Sequence, residues 1–402
     1  GADAAGAERY LRNQQLASGA WPLYPTSDGA VFTTTLAYVA MRLLGVEARD
    51  PACRRARCWL AEHGPAVRTP TWGKLWLALI GLLPWDAVPP MPPELWLLDA
   101  RLPFHPRRWY CHTRLIYLAM GTLRGLGFQG ERDAGIEAIG RELALPGALT
   151  RGQAERLRLD IAQGDLHEAP SRMLRTAYAV AGRLERWVPG GVRRRAIERC
   201  VEHIRYELRT SGYQCISPVN GLLNLLALHA LDPDDPDVQR GWVAMDAWRW
   251  RTPDGGMRVA GAKSDAWDTG FALQAFAAAP VSSETRESMA QATRFLLNTQ
   301  VLDELPTPEV MARQRRAGGW CFSDGAHLWP VSDTTAEALS GLMAADAVGP
   351  SGLSGVRFQM AIRFILDRQN ADGGFGSYEA QRAPAWLDAI NPSEMFGGCM
   401  GE

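Results

Sequence analysis

The sequence has almost no charge imbalance. Its 43 Lys and Arg stand against 44 Asp and Glu, a formal net charge of -1 over 402 residues. Without a basic excess there is no electrostatic footprint for nucleic acid, and 47% hydrophobic content leaves no room for a largely disordered chain. Cysteines are few and poorly placed for pairing. Cys53, Cys58, Cys111, Cys200, Cys215, Cys321 and Cys399 form no C-x-x-C pair, and their odd number leaves one over in any disulfide scheme. A reducing compartment is the default, and no zinc site is indicated. Long hydrophobic runs are missing as well. The most apolar stretches, Leu75 to Trp85 and Gly221 to Leu231, reach about half of the roughly 20 residues that a spanning helix needs. Gly1-Ala2-Asp3 lacks an initiating Met and the layout of a signal peptide, so the start reads as an interior cut.

What is abundant is tryptophan, 15 residues, set in helical periodicity. The apolar spacing predicts helices over 35–44, 76–83, 114–126, 173–187, 194–208, 221–231, 271–278, 288–297, 335–345 and 356–369. No run of alternating residues competes, so the fold class expected is all-α. The Pro- and Asp-rich stretch Asp232 to Asp237 reads as a linker between two helical halves.

A repeat underlies the helices. Gln15, Gly19 and Trp21 match Gln369, Gly373 and Phe375. A third copy runs from Gln300 to Gly318-Gly319-Trp320 across an insertion, and a fourth, Asp254-Gly255-Gly256-Met257, lacks the glutamine. A Thr-rich or Asp-Thr helix start follows three of these turns. Each unit reads as helix, Gly-turn with an aromatic or apolar residue, loop, helix. The Gln is expected to reach free backbone groups at a neighbouring helix end, with the aromatic ring covering it and glycine allowing the turn. Stacked helical hairpins of this kind build either an open solenoid or a closed α/α toroid. The repeat residues themselves are scaffold.

Asp333 is the first candidate for chemistry. Its position before an apolar helix predicts an N-cap, and the nearby Trp320, Phe322 and Trp329 allow a second role, a carboxylic acid kept protonated by an aromatic surround. A second cluster holds Trp72, Trp76, Trp85, Trp96, Trp109, Tyr110, Cys111 and His112. Adjacent Cys111 and His112 have no partners spaced for a metal. So many rings beside Pro and Gly suggest a ring-lined cavity, and ring faces stabilise positive charge.

These residues resemble the triterpene cyclases, most closely the oxidosqualene cyclases such as lanosterol synthase. The Gln-Gly-Trp repeats look like that family's QW motifs. The likeness runs from Tyr10 to Met400 through Phe32-Thr33-Thr34, Trp72-Gly73-Lys74, Tyr110-Cys111-His112, Trp267-Asp268-Thr269, Val331-Ser332-Asp333 and Asn391-Pro392-Ser393-Glu394. The resemblance implies two α/α barrels: most of an inserted one in residues 1–237, and the first half of the catalytic one in residues 238–402, the second barrel being incomplete. It implies Asp333 as the acid that protonates the epoxide of 2,3-oxidosqualene, Glu337 in the relay behind it, and Thr334 where the family carries a cysteine bonded to the acid. Trp267 and Phe322 would face early cationic carbons, while Trp72, Tyr110, His112 and Tyr378 would line the path of later ring closure. No metal, nucleotide or other cofactor is implied.

Departures from the family pattern are informative. Asp333 lacks the flanking Asp residues of squalene-hopene cyclases, which favours an epoxide over an alkene. Val331 is lanosterol-like but His327 is cycloartenol-like, so the product stays open. Relatives extend further on both sides, so the chain is expected to be inactive or poorly soluble without a C-terminal remainder or a complementing chain. A lipid substrate implies a monotopic enzyme on the cytoplasmic side of a membrane, with Ala87 to Phe104 and the helix after His112 as candidate contacts. Two other classes are weighed. A prenyltransferase-type toroid needs zinc ligands that are not present in a suitable set, and a non-catalytic helical repeat is disfavoured by Asp333 and the rings.

Overall fold

The computed structural model describes residues 3–280 and 282–401, and helices dominate them as expected. The first part contains α1 (Ala4–Gln14), α2 (Val31–Leu43), α3 (Pro51–His63), α4 (Thr71–Leu79), α5 (Cys111–Leu126), α6 (Ala134–Glu142), α7 (Arg151–Arg158), α8 (Arg172–Leu184), α9 (Gly190–Thr210), α10 (Pro218–His229) and α11 (Pro236–Ala244). An antiparallel hairpin, β1 (Arg249–Arg251) and β2 (Met257–Val259), leads to α12 (Asp265–Ala278), α13 (Ser283–Thr299), α14 (Ser332–Asp346) and α15 (Gly355–Leu366).

Each helix expected from periodicity is present, but several begin earlier: α2 at Val31, α4 at Thr71, α9 at Gly190 and α12 at Asp265. Apolar periodicity reports the packed face and misses a first turn whose free amides take polar partners. Helices α1 and α7 escaped it because each buries a single residue, Gly6 and Ala154. The β-hairpin escaped it because three-residue strands are too short to show alternation. Its turn is the fourth repeat copy, where the Asp254 carboxylate accepts from Gly256 N–H at 3.2 Å and from Asn13 of α1 at 2.5 Å.

The expected linker is a clamped corner. Asp235 caps α11 by accepting from the Asp237 amide, with Pro236 in the first turn. Both carboxylates are buried. Asp237 accepts from Arg205 at 2.7 Å, Arg209 at 2.8 Å and the Tyr213 hydroxyl at 2.8 Å, while Arg205 also pairs with Asp235. An Asp-Pro start with a Pro in the first turn was the signal for this helix, as it is for α3 with Asp50 and Pro51.

Burial divides the interior into several cores. One gathers Trp21, Tyr38, Met41 and Trp59 around α2 and α3; a second joins α4, α5, α9 and α10; a third, around Trp320, joins α12 to α15. Helix α5, expected to offer apolar surface to a membrane, is packed instead, with Leu115, Leu118, Met120 and Leu123 buried.

The repeat is realised atom by atom in two copies. Gln15 Nε2 donates to the carbonyls of Gly19 (2.8 Å) and Ala52 (2.9 Å), and Gln300 Nε2 to those of Gly318 (2.9 Å) and Arg357 (3.1 Å). The indole N–H of Trp21 donates to Leu11 O and that of Trp320 to Leu296 O, both at 2.7 Å. Each Trp amide then donates to a threonine hydroxyl of the next helix, Thr34 at 3.0 Å and its later counterpart Thr335 at 2.9 Å. Gln, Gly and Trp thus tie three helices to one turn. At Gly19 and Gly318 the turn needs φ of +96° and +97°, a region that disfavours side chains.

Candidate active site

The second of these turns delivers Asp333. Val331 N–H donates to Trp320 O at 2.9 Å, which fixes where α14 starts. Val331 is the N-cap residue and Asp333 lies inside the first turn, not at the cap position that the spacing suggested. From there its carboxylate accepts the Thr334 backbone N–H at 2.8 Å. Ser377 is held beside it because Ser332 N–H donates to Ser377 O at 3.0 Å and Ser332 Oγ to Gly376 O at 2.6 Å. Burial pushes the half-buried Asp333 carboxyl above the ordinary carboxylate value. The Thr334 amide and the Ser377 hydroxyl pull it back in part, and the charge of Glu337 pushes it up again. The net direction is up, toward an acid that keeps its proton.

Thr334 is fully buried, and its hydroxyl has no hydrogen-bond partner among the described residues. It touches the acid through its amide. Glu337, one turn along the same face of α14, accepts from Gln274 Nε2 of α12 at 2.8 Å.

Next to Ser377 begins a continuous file of rings that runs both ways from Tyr378. Tyr378 follows Ser377 and lies 6.2 Å from Phe322, centroid to centroid. Phe322 stacks on Trp267 at 4.9 Å with an interplanar angle of 14°, held by Ala266 N–H donating to Phe322 O at 3.0 Å. In the other direction Tyr378 meets His112 edge-on at 4.9 Å, and His112 stacks on Tyr110 at 4.9 Å. Five of the residues expected from the sequence are therefore one cluster, although they come from α5 and its N-cap residue, from α12 and from two loops. The arrangement is fixed from behind by Arg114 of α5, which pairs with Glu379 at 3.1 Å, both side chains being buried.

The remaining expected residues stand apart from the file. Trp72 packs against Trp76 at 5.8 Å, edge to face. Val331 is fully buried under the repeat turn. His327 is buried against Trp248 at 6.3 Å, with Nδ1 3.2 Å from Ser323 Oγ. Burial lowers His112 and His327 to about 4, with Arg114 adding to the effect at His112. Both are therefore neutral near pH 7, and a neutral ring beside aromatic faces does not repel a cation. A cavity of about 380 Å³ opens beside Tyr110, lined among others by Trp109, Arg107 and Glu379, and includes neither Asp333 nor Trp267. Among the described residues no group of three His, Cys, Asp or Glu is placed to hold a metal ion.

Sequence reasoning missed Ser377, Gln274, Arg114 and Glu379. Ser377 and Glu379 had a local signal, their adjacency to Tyr378; Gln274 and Arg114 act across elements far apart in the chain.

The arrangement sets a carboxyl whose burial favours its protonated form near a run of aromatic faces. The squalene-hopene cyclase N-terminal domain profile matches residues 2–254 and the squalene-hopene cyclase C-terminal domain profile residues 263–395. Cycloartenol synthase of Dictyostelium discoideum is 33% identical over 397 residues, 98% of this chain and 56% of that protein. Lanosterol synthase of Homo sapiens is 33% identical over 399 residues, 98% and 54% respectively. Protostadienol synthase A of Neosartorya fischeri is 33% identical over 401 residues. The chain spans about half the length of these curated relatives. With both domain profiles matched and the alignments to these relatives covering 98% of its residues, the chain belongs to the triterpene cyclase family.

Proposed function

We propose that the chain carries the acid-bearing part of an enzyme that converts 2,3-oxidosqualene to a tetracyclic, lanosterol-like sterol precursor. The observation that supports this reading most is Asp333: a carboxyl raised by burial, hydrogen-bonded to Ser377 next to Tyr378, the middle member of a file of aromatic rings. Asp333 donates its proton to the epoxide oxygen, the carbon–oxygen bond opens, and the polyene's π electrons close onto the electron-poor carbon. A proton lost at the end of the cascade balances the one donated, so the reaction is an isomerisation. Trp267, Phe322, Tyr378, His112 and Tyr110 stabilise successive cations and exclude water. Trp72 joins Tyr110, His112 and Tyr378 in lining the path of later ring closure, and Val331 and His327 bear on the product. Glu337 returns the proton to Asp333.

In this reading residues 1–237 belong to the inserted α/α barrel and residues 238–402 to the first half of the catalytic one. The Gln369 copy supports it. Gln369 Nε2 donates to Gly373 O at 3.2 Å and lacks, among the described residues, the second carbonyl that Gln15 and Gln300 reach; Phe375 is half exposed. A further helix, from the same or a complementing chain, covers it in the active enzyme.

A membrane-bound substrate is met at the surface. No helix among the described residues is long and apolar enough to cross a membrane. Helix α8 instead exposes Met173, Val180 and Leu184, with Trp187 just beyond it 83% exposed, beside the exposed Arg172, Arg175, Arg183 and Arg186. A basic amphipathic helix of this kind lies in the interface of an anionic leaflet on the cytoplasmic side.

The test is incubation of the longest gene product with 2,3-oxidosqualene and, separately, squalene in anionic vesicles, with products identified by mass spectrometry. A tetracyclic isomer of oxidosqualene is expected. Conversion of squalene in its place contradicts the substrate, and robust turnover by the 402-residue chain alone contradicts the need for a remainder.

A further inference from the structure

Helices α12 and α14 touch backbone to backbone. Glycine makes this possible: a Cβ on Gly270 would lie 2.7 Å from the Glu337 carbonyl oxygen, and one on Gly341 2.7 Å from that of Gly270. One turn beyond Gly270, the side chain of Gln274 therefore meets that of Glu337 and donates to its Oε2 at 2.8 Å, far closer than its 3.4 Å approach to Gly270 O.

We propose that Gln274 is a positioning residue for the acid, holding the Glu337 carboxylate on the side of α14 that carries Asp333. This rests on the reading of Asp333 as the proton donor. A glutamate side chain free to rotate spreads its charge over several rotamers and favours those reaching water. One hydrogen bond from a neighbouring helix selects among them. The anchor is also neutral. Lys or Arg at this place would hold Glu337 equally well but cancel its charge, and with it the effect on Asp333; an amide holds the charge and leaves it intact.

The other groups around Asp333 do not supply that charge. Asp265 and Asp268 of α12 are exposed, with Asp268 accepting from Ser264 at 2.7 Å. From the loop packed on the start of α14, Ser377 is neutral and Glu379 is paired with Arg114. Burial is the first cause of the raised Asp333 carboxyl, and the charge of Glu337 adds to it.

The experiment is a carboxyl-¹³C NMR titration of Asp333 in the full chain, with the signal assigned by Asp333→Asn. Removing a negative neighbour favours ionisation, so Glu337→Gln lowers the Asp333 midpoint. Gln274→Met, which keeps the length and loses the N–H, is expected to lower it in the same direction, and the double variant to match Glu337→Gln alone. Gln274→Asn, too short to reach, gives the same result if the Met variant does not fold. An unmoved midpoint in the Gln274 variants, with Glu337→Gln shifting it, overturns the proposal. An unmoved midpoint in Glu337→Gln overturns it too, while leaving the acid assignment to be judged by turnover of Asp333→Asn.

Discussion

The turn around Trp21 and the turn around Trp320 share a scaffold and differ in what they hold. In both, the Trp carbonyl accepts an amide at the start of the next helix, Ala30 at 3.1 Å and Val331 at 2.9 Å. Counted from these bonds, Phe32 of the first copy occupies the place of Asp333 in the second. The helix ends are served differently. In the first copy Asp165, from a distant segment, accepts from the Val31 N–H at 2.8 Å and the Phe32 N–H at 2.6 Å. In the second, Ser332 N–H is taken by the backbone carbonyl of Ser377. The Asp165 carboxylate, shared between two amides, is a structural cap; the Asp333 carboxyl is carried by the helix itself and is pushed toward its protonated form by burial. The same repeat turn thus carries a ring, Phe32, in one copy and a carboxyl, Asp333, in the other, with a different cap on the amides at the helix start.

Several variants break or sharpen this comparison. The largest effects come from the shared rings: Trp21→Ala and Trp320→Ala each leave a large cavity and are expected to cost about 3–5 kcal/mol in denaturant unfolding. A marginal cost at either position would mean that the two turns are not equivalent. Next are the glutamines. Gln15→Leu and Gln300→Leu each strand two backbone carbonyls and cost about 1–3 kcal/mol, whereas Gln369→Leu, at the partly uncovered copy, is expected to shift stability by less than about 0.5 kcal/mol. Asp165→Ala removes only the first copy's cap and costs about 1 kcal/mol, with the titration of Asp333 unchanged. Smallest is the effect of Asp333→Asn on stability. A carboxyl whose midpoint is raised by folding binds protons more readily in the folded state, so its contribution falls as pH rises from the unfolded value through the folded one. The variant is therefore slightly more stable than the parent at neutral pH, and the gain disappears in acid; a loss of stability at pH 7 would contradict burial of an acid there.

Much of this architecture was legible because the repeat signature is local. Gln, Gly and Trp lie within a few residues in the first copy, and their bonds follow the expected pattern. Helix starts were less legible, since polar first turns carry no apolar stripe. Asp232 to Asp237 misled for a related reason: composition shows acids and prolines but not that Arg205 and Arg209 wait on α9 to bury them. At the site, Asp333 and the rings were reached through motif likeness, and the structure brings Trp267, Phe322, Tyr378, His112 and Tyr110 together. The partner of Glu337 and the clamp on Tyr378 were not legible. Gln274 lies 63 residues from Glu337 and meets it only because two glycines let two helices touch.

The central claim is that Asp333 is the proton donor, and turnover of 2,3-oxidosqualene by the complete enzyme and its Asp333→Asn variant tests it most directly. The variant is expected to fold, bind substrate and lose activity by about 10²–10⁴-fold, the range for removing a general acid. Equal turnover by the two proteins would contradict it.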